Sequence, residues 1–423
     1  NPFLLNKSTN KIYFLIAFLI ILITIYRNTW LPGAKILAGK ENYLILFLSM
    51  IFFVILIDFR NVFNFKVKYA KSYSKYIVLL AILMLISTLM FNMQELTKFS
   101  YLVRFIDLIC YFVIYFVVIP NLILSTRDML RKLILIISYS GLIISVLGFI
   151  FLALGFYPMP NYPGFMTSII YHPNYVPFIV IFGALSTIFY VEWQKNELPA
   201  AKKYFYLFSI LIQFFAVLMT YSRQAYLALG LSLVVYFLLK YRLRFVMLLP
   251  LFASAFFFLI PYFKAKGFAS FISRLYLLIP AYYLISKDNS ALLWGYGLTN
   301  TFDVFDKYNN IYGGGEVMNN PHNSFVSLIL MFGLPFTLIF CTTIFFLVAK
   351  FAVNSLRAKN SQQGMLYNYF VSMIVAFVVL NLFESVVVQI EYFNIHLFFI
   401  TLGIMVRLPK YLNSPFADNS WRV

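Results

Sequence analysis

The chain has 423 residues, of which 62% are apolar, 20% aromatic and 11% charged. A soluble domain usually carries about 25% charged residues, so this composition excludes a water-soluble globule, and the low charge excludes a disordered chain. The composition predicts a polytopic membrane protein. A net charge of +19 would suggest a nucleic-acid partner in a soluble protein. In a membrane protein it indicates orientation signals and contacts with anionic lipid head groups, and no nucleic-acid partner is expected.

Apolar runs that can cross a bilayer as helices recur along the chain and predict one all-α integral-membrane domain over residues 1–423 with twelve spans. The runs lie at 12–26, 42–57, 76–94, 100–119, 133–154, 174–191, 204–220, 224–239, 245–262, 323–349, 364–383 and 391–406. We interpret the first run as a retained span, because only a weak small-residue site follows it. The cluster from Gly155 to Gly164 separates two spans, since its prolines cannot continue one helix.

The charges of the loops predict the orientation of the chain. Two thirds of the 33 Lys and Arg fall in alternate loops, namely 1–11, 58–75, 120–132, 192–203, 240–244, 350–363 and 407–423. By the positive-inside rule these loops and both termini face the cytoplasm. The loops near 155–173, 220–224, 263–322 and 384–390 then face the outside.

One external connection, 263–322 between the ninth and tenth spans, is much longer than the others. Its aromatic stretch from Phe268 to Ile285 is too interrupted for a thirteenth span, and we expect one or two helices lying in or dipping into the interface. Gly295-Tyr-Gly297 and the three glycines at 313–315 are typical of turns.

Two arginines lie where a bilayer penalises charge. Arg223 stands in a minimal external turn between two apolar runs, where it needs a polar cavity or a partner. Its planar fork of donors suits phosphate oxygens, although a snorkelling turn residue is the alternative. Arg274 lies in the apolar part of the external loop and is either an interfacial anchor or, together with Arg223, half of a site for a diphosphate.

His322 and Asn323 stand at the junction of the external loop and the tenth span. The sequence Asn-Pro-His-Asn-Ser before an apolar run is typical of a helix start. The positive end of the helix favours a nearby anion and a neutral imidazole, which suits a proton acceptor for a sugar hydroxyl. The alternative is a capping or water-exposed histidine.

Further polar residues carry weaker signals. His172 and Asn174 open the sixth span on the external side and either line a substrate groove or start the helix. Glu384 ends the eleventh span on that side and is expected to orient a sugar or pair with an arginine. Arg104 and Asp107 have the spacing of a local ion pair, and His396 is interpreted as a packing histidine. No Asp-x-Asp motif, Glu/His cluster or Walker-type loop occurs, so neither a metal nor a cofactor is predicted.

Four short motifs follow one another in order: Thr220-x-Ser222-Arg223, Arg274-x-x-x-Leu278, Gly295-Tyr-Gly297, and His322-Asn323 with Gly333 ten residues on. This set, with the large external loop between spans nine and ten, resembles the O-antigen ligase and polymerase superfamily of integral-membrane glycosyltransferases. The resemblance covers residues 170–400. One position departs from the ligase pattern, because Phe336 stands where Gly, Thr or Val is usual. Ligase and polymerase therefore both stay open.

The resemblance implies a metal-independent, inverting transfer at the periplasmic face of the bacterial inner membrane. The donor would be a glycan on undecaprenyl diphosphate, and the acceptor a sugar of lipid A-core for a ligase or another repeat unit for a polymerase, with a slight preference for the ligase. Arg223 and Arg274 would hold the diphosphate, and His322 would activate the acceptor hydroxyl. Five further residues are predicted to contact substrate: Ser222, Asn323, His172, Asn174 and Glu384.

A function of another class also fits twelve spans, namely a transporter or a flippase for lipid-linked oligosaccharides. That class predicts charges near the membrane midplane and discontinuous helices in both halves of the chain. The candidate residues here gather instead at the predicted external face.

Overall fold

The computed structural model describes residues 115–116, 119–124, 127–156, 164–168, 174–242, 276–297, 304–307, 321–358, 361–384 and 393–412, together with residues 82, 86 and 301. Within these ranges every regular element is a helix. The elements are α1 (Ile119–Ile123), α2 (Arg127–Ala153), α3 (Val176–Trp193), α4 (Ala200–Met219), α5 (Arg223–Tyr241), α6 (Leu278–Lys287), α7 (Asn289–Trp294), α8 (Ser324–Ala358), α9 (Gln362–Asn381) and α10 (Phe393–Leu412). The prediction of an all-α protein is confirmed for this part of the chain.

Six described helices are long and apolar enough to cross a membrane: α2, α3, α4, α5, α8 and α9. They correspond to the runs predicted at 133–154, 174–191, 204–220, 224–239, 323–349 and 364–383. The run at 391–406 forms part of α10, whose apolar stretch, His396–Pro409, is shorter than a span. The other predicted runs lie wholly or mostly outside the described residues, so the total of twelve stays a prediction.

Helices α3 and α9 form the centre of the bundle. Their most apolar windows are 89% and 78% buried, compared with 28% for α4. α9 packs against α3, α5, α8 and α10, and α3 also packs against α2 and α4. Both central helices are apolar around their whole circumference, the pattern expected of a helix surrounded by other helices. A buried bond of 2.7 Å between the Ser186 and Tyr369 hydroxyls joins them.

Glycines allow α2 and α3 to approach closely. A Cβ added at Gly141 would lie 2.7 Å from the Gly183 Cα and 2.6 Å from the Gln213 Oε1. Next to this crossing, the Ser138 and Thr187 hydroxyls are 2.6 Å apart, and the Gln213 amide donates to Thr187. Small residues and bridging polar groups of this kind are typical of helix contacts in membranes.

Helix α8 is broken near its first third, which the prediction of an uninterrupted span at 323–349 missed. Gly333 has φ 83° and ψ 168°, and Pro335 follows two residues later. Pro335 has no N–H, so the Met331 carbonyl lacks its usual partner four residues on. The Gly297 N–H donates to that carbonyl at 3.0 Å, and the Tyr296 N–H donates to Leu330 at 2.6 Å. The segment that follows α7 therefore satisfies backbone groups that the break exposes.

The loop fits the break only because glycines stand on both sides. A Cβ at Gly333 would lie 2.1 Å from the Leu293 carbonyl oxygen, and a Cβ at Gly295 would lie 2.3 Å from the Met331 carbonyl. Gly295 and Gly297 also have positive φ, of 74° and 81°. The interpretation of Gly295-Tyr-Gly297 as turn residues is correct, and their contact with α8 was not foreseen.

The loop helices α6 and α7 pack on the first part of α8. A small apolar cluster joins α6 to α8 and is formed by Leu277, Ala281, Leu284, Phe305 and Leu330. Asp288 starts α7 by accepting bonds from the Ser290 hydroxyl and from two backbone N–H groups, and these bonds lower the pKa of its carboxyl. A helix is present in the expected stretch from Leu278 on and packs on α8, while its position in the membrane interface stays a prediction.

Candidate functional site

Four helix termini meet at one end of the bundle. Helices α3, α5 and α8 begin there, and α9 ends there. The segments just outside these termini carry most of the residues singled out from the sequence, namely Asn174, Ser222, Asn323 and Glu384, with Arg223 as the first residue of α5. Contacts between these segments hold the candidate site together.

The start of α8 is tied to the end of α9. The Asn323 side-chain oxygen accepts from the Phe325 and Val326 N–H groups at 3.0 and 3.1 Å, so Asn323 is the N-cap. Its amide donates to the Leu382 carbonyl at 3.0 Å. The Ser324 hydroxyl lies 2.7 Å from both the Asn381 Oδ1 and the Glu384 carbonyl oxygen. These bonds fix the chain around Glu384 against the residues that precede α8.

Glu384 is the centre of a buried polar cluster. The residue is 2% exposed, and its Oε2 lies 3.0 Å from the His322 Nδ1. Its other oxygen, Oε1, accepts from the Asn174 amide at 3.0 Å and from the Gln224 amide at 3.3 Å. We call Glu384, His322, Asn174 and Gln224 the Glu384 cluster. An ionised carboxylate only accepts hydrogen bonds, so three donors from three elements satisfy it away from water.

His322 is held in a conformation rarely adopted by residues with a side chain. Its φ is 47°, in the left-handed region, and its side chain is 21% exposed. A neutral imidazole that donates from Nδ1 to a carboxylate has its lone pair at Nε2. The contact with Glu384 thus fixes the orientation of the imidazole at one ring nitrogen.

Arg223 and Ser222 form the start of α5. Ser222 is buried and extended, with φ −90° and ψ 108°, and its carbonyl accepts from the Ala225 and Tyr226 N–H groups at 3.0 and 3.2 Å. Arg223 is half-buried in the first turn, next to Gln224, which reaches Glu384. The sharp turn between α4 and α5 therefore places the backbone of this arginine next to a member of the Glu384 cluster.

The electrostatics of this end favour an anion. The N-termini of α3, α5 and α8 converge here, and each carries a partial positive charge from the N–H groups of its first turn. These partial charges stabilise the Glu384 carboxylate, and Arg223 adds a full positive charge. A phosphate group is the kind of ligand that helix N-termini and a guanidinium bind together.

The structure brings together three of the residues predicted from the sequence as one hydrogen-bonded group: Asn174, His322 and Glu384. Ser222, Arg223 and Asn323 lie at the same end, while His172 and Arg274 lie outside the described residues. Glu384 was expected to orient a sugar or pair with an arginine; the structure places it against His322, Asn174 and Gln224, and the expected role stays a prediction. The contacts of Asn323 are those of a helix cap, and its substrate contact stays a prediction.

Sequence reasoning missed Gln224, Ser324 and Asn381. Each is a polar residue at the edge of an apolar run, and Asn381 is fully buried. That position was the available signal, since a buried amide at the end of a span requires hydrogen-bond partners. His396, interpreted as a packing residue, lies in α10 with its ring 4.4 Å from that of Tyr115, whereas Arg104 and Asp107 are outside the described residues.

Metal ligands are not clustered in the described ranges, where no three His, Cys, Asp or Glu side chains come together.

Phe336, the departure from the ligase pattern, is 4% exposed and packs between Phe332 and Phe340, with ring centroids 4.8 and 6.1 Å away. It is a packing residue of α8 and lies in an aromatic row. Its side chain contributes to the packing of α8, and ligase and polymerase both stay open.

Comparison with known proteins agrees with this arrangement. Residues 208–341 match the family model described as O-antigen ligase, which is about a third of the chain. The matched segment contains Arg223, the two loop helices, the Gly333 break and His322. No curated protein matches the chain. The family match indicates a membrane glycosyltransferase of the O-antigen ligase or polymerase type. The resemblance stated from the sequence motifs is thereby confirmed over residues 208–341, which are similar to the O-antigen ligase family.

Proposed function

We propose that this protein transfers a preassembled glycan from undecaprenyl diphosphate to a saccharide hydroxyl at the outer face of a bacterial inner membrane, as an O-antigen ligase-type enzyme acting on lipid A-core. The observation that carries the proposal is the bond of 3.0 Å between His322 Nδ1 and the buried Glu384. It supports a general base whose ring is oriented by a buried carboxylate.

The His322–Glu384 pair acts as a base and its orienting carboxylate. Glu384 fixes the tautomer of the ring and stabilises the imidazolium that forms when His322 accepts a proton, as the carboxylate does in Ser-His-Asp triads. The Asn174 and Gln224 amides hold the other carboxylate oxygen, so the carboxylate cannot rotate away from the ring. This support keeps the base in position before the acceptor binds.

In the reaction, the acceptor hydroxyl oxygen attacks the anomeric carbon of the donor while its proton moves to His322 Nε2. The bond from the anomeric carbon to the diphosphate oxygen breaks, and its electron pair leaves with undecaprenyl diphosphate. Attack opposite the leaving group inverts the anomeric centre. Negative charge grows on the diphosphate in the transition state, so cations placed there lower the barrier.

Arg223 and Arg274 are assigned to that diphosphate. The first-turn position of Arg223 and the three converging helix N-termini support an anion at this end. Arg274, outside the described residues, is assigned from its place in the sequence motif. Ser222, Asn323, His172 and Asn174 are assigned to contacts with the donor or the acceptor.

A repeat-unit polymerase of the same superfamily is the second candidate. Its donor and chemistry are the same, and only the acceptor differs. A transporter or flippase is less well supported, because the Glu384 cluster lies at one end of the helices, whereas a transport site belongs near the membrane midplane.

The test is a transfer assay with purified protein, lipid-linked repeat units and lipid A-core. Product on lipid A-core identifies a ligase, and lengthening of the lipid-linked glycan identifies a polymerase.

Replacing Arg223 with Ala is expected to lower turnover by about 10²–10³-fold, as for the loss of one donor to a developing anion. Arg357→Ala, at an exposed position of α8 far from the site, is the matched control. Full activity of Arg223→Ala would exclude the diphosphate contact.

A further inference from the structure

A concave site lies at the end of the same helices opposite to the Glu384 cluster. Helices α3, α5, α8 and α9 each have one terminus near the Glu384 cluster, and residues at or near their other termini line a cavity of about 390 Å³. Helix α5 has 19 residues, so the two sites are about 28 Å apart along its axis. Nothing in the proposed transfer reaction uses this cavity.

The lining of the cavity is strongly basic. Four cations, Lys195, Lys203, Lys240 and Arg242, line it with a single carboxylate, Glu192. An excess of three positive charges in a concave space attracts anions, and the surrounding helices keep that space partly shielded from water. The four cations differ in the contacts that they form within the protein.

Two of the cations are used by the protein itself. The Lys240 ammonium bonds to one oxygen of Glu192, and the Tyr236 hydroxyl donates to the other at 2.5 Å. The Arg242 guanidinium donates to the Leu356 carbonyl in the last turns of α8 at 2.6 Å, which is a usual role for a cation near a helix C-terminus. These contacts explain Lys240 and Arg242 as structural residues and leave Glu192 with both oxygens bonded.

Lys195 and Lys203 are not explained in this way. Both are exposed, and neither forms an ion pair with a carboxylate among the described residues. Lys203 also lies in the first turn of α4, where the helix carries a partial positive charge, and a cation at that place is unfavourable without a nearby anion. The two lysines and the start of α4 therefore give this side of the cavity an unbalanced positive potential.

We propose that this cavity binds a phosphate-bearing anion, with Lys195 and Lys203 as its main contacts. Lysine is a common phosphate ligand that acts as a point charge, and basic pockets between membrane helices bind anionic head groups. A cavity of this volume accommodates the head group of an acidic phospholipid or a small phosphorylated molecule. The Ser355 and Asn368 side chains, joined by a hydrogen bond, contribute neutral polar lining.

The experiment compares Lys195→Gln/Lys203→Gln with Lys202→Gln, a neighbouring exposed lysine that does not line the cavity. The full chain is placed in phosphatidylcholine nanodiscs. One arm adds phosphatidylglycerol and counts retained lipids by native mass spectrometry. The other adds inorganic phosphate and measures the shift of the thermal midpoint. The probe that binds the wild type identifies the source of the phosphate as lipid or soluble.

Removal of the two lysines is expected to weaken binding of that probe by roughly 10-fold per lysine, while Lys202→Gln binds like the wild type. Glu192→Gln removes the one negative charge of the lining and is expected to strengthen the same binding. Equal binding by the wild type and the double variant, or no binding of either probe to the wild type, would overturn the proposal and leave these lysines as orientation charges. Transfer activity enters neither readout, so this test is independent of the proposed transfer function.

Discussion

At the scale of single residues, the candidate site depends on one carboxylate. Glu384 receives hydrogen bonds from three side chains that come from the starts of α3, α5 and α8. Each donor was visible in the sequence as a polar residue at the edge of an apolar run. Their meeting point was not visible, because Asn174 and Glu384 are 210 positions apart and only the packing of four helices brings them together.

Glu384→Gln tests the orienting carboxylate. A glutamine amide can donate to His322 Nδ1, which places the ring proton on Nε2 and removes the base, while the volume of the side chain is unchanged. We expect transfer to fall by about 10²–10⁴-fold, as for a lost or misoriented general base. The measurement is single-turnover transfer by purified protein. Asp128→Asn, an exposed acid on α2, serves as the control and keeps wild-type rates.

His322→Ala and the double variant His322→Ala/Glu384→Gln complete this test. Residues that act as a unit give non-additive losses, so the double variant is expected to be about as slow as the slower single variant. If the fold-loss of the double variant equals the two single fold-losses multiplied together, the residues act independently. A loss below about threefold for His322→Ala would reduce this histidine to a structural role near the helix start.

At the scale of helices, the sequence predicted most of what the structure describes. Six apolar runs coincide with helices that are long and apolar enough to cross a membrane, and their ends agree within four residues except at the start of α2 and the end of α8. Long apolar runs leave the backbone no alternative to a helix in lipid. The break in α8 was missed because Gly333 and Pro335 are each tolerated in membrane helices. The break becomes evident only with the loop that fills it.

Gly333→Ala is expected to destabilise the protein. Its φ of 83° strains any residue with a side chain, and the added Cβ would meet the Leu293 carbonyl oxygen at 2.1 Å. We expect the free energy of unfolding to fall by about 1–3 kcal/mol, or the protein to fail to accumulate in the membrane. Thermal unfolding of the detergent-solubilised protein measures this change. Gly230→Ala, a helical glycine of α5 with no neighbouring atom within 4 Å, is the control and leaves stability equal or higher. Equal stability of the two variants would contradict this account of the break.

At the scale of the whole molecule, the two ends of the bundle are chemically different. One end collects helix N-termini, Arg223 and a buried carboxylate–histidine pair, and the other collects the exposed lysines of the alternate loop set. The described residues of loops 192–203, 240–244 and 350–363 do lie at a common end, as the charge sorting predicted. The side of the membrane that each end faces remains a prediction of the positive-inside rule.

Transfer is expected to be unaffected by chelators. Guanidinium groups and helix N-termini supply the positive charge at the diphosphate, so a divalent cation has no assigned role in the proposed reaction. The assay compares initial rates in EDTA with rates after readdition of Mg²⁺ or Mn²⁺. The rates are expected to agree within about twofold, and a rate that recovers only with a divalent cation would contradict the metal-independent mechanism.

The joint between the loop and α8 has an evolutionary consequence. Its hydrogen bonds link main-chain groups of Tyr296 and Gly297 to those of Leu330 and Met331, and its close approach requires missing Cβ atoms at Gly295 and Gly333. Such a joint requires glycine at a few positions and depends little on the identity of the other side chains. Related sequences can therefore differ at most of the surrounding side chains and still form this joint, provided that Gly295, Gly297 and Gly333 are kept.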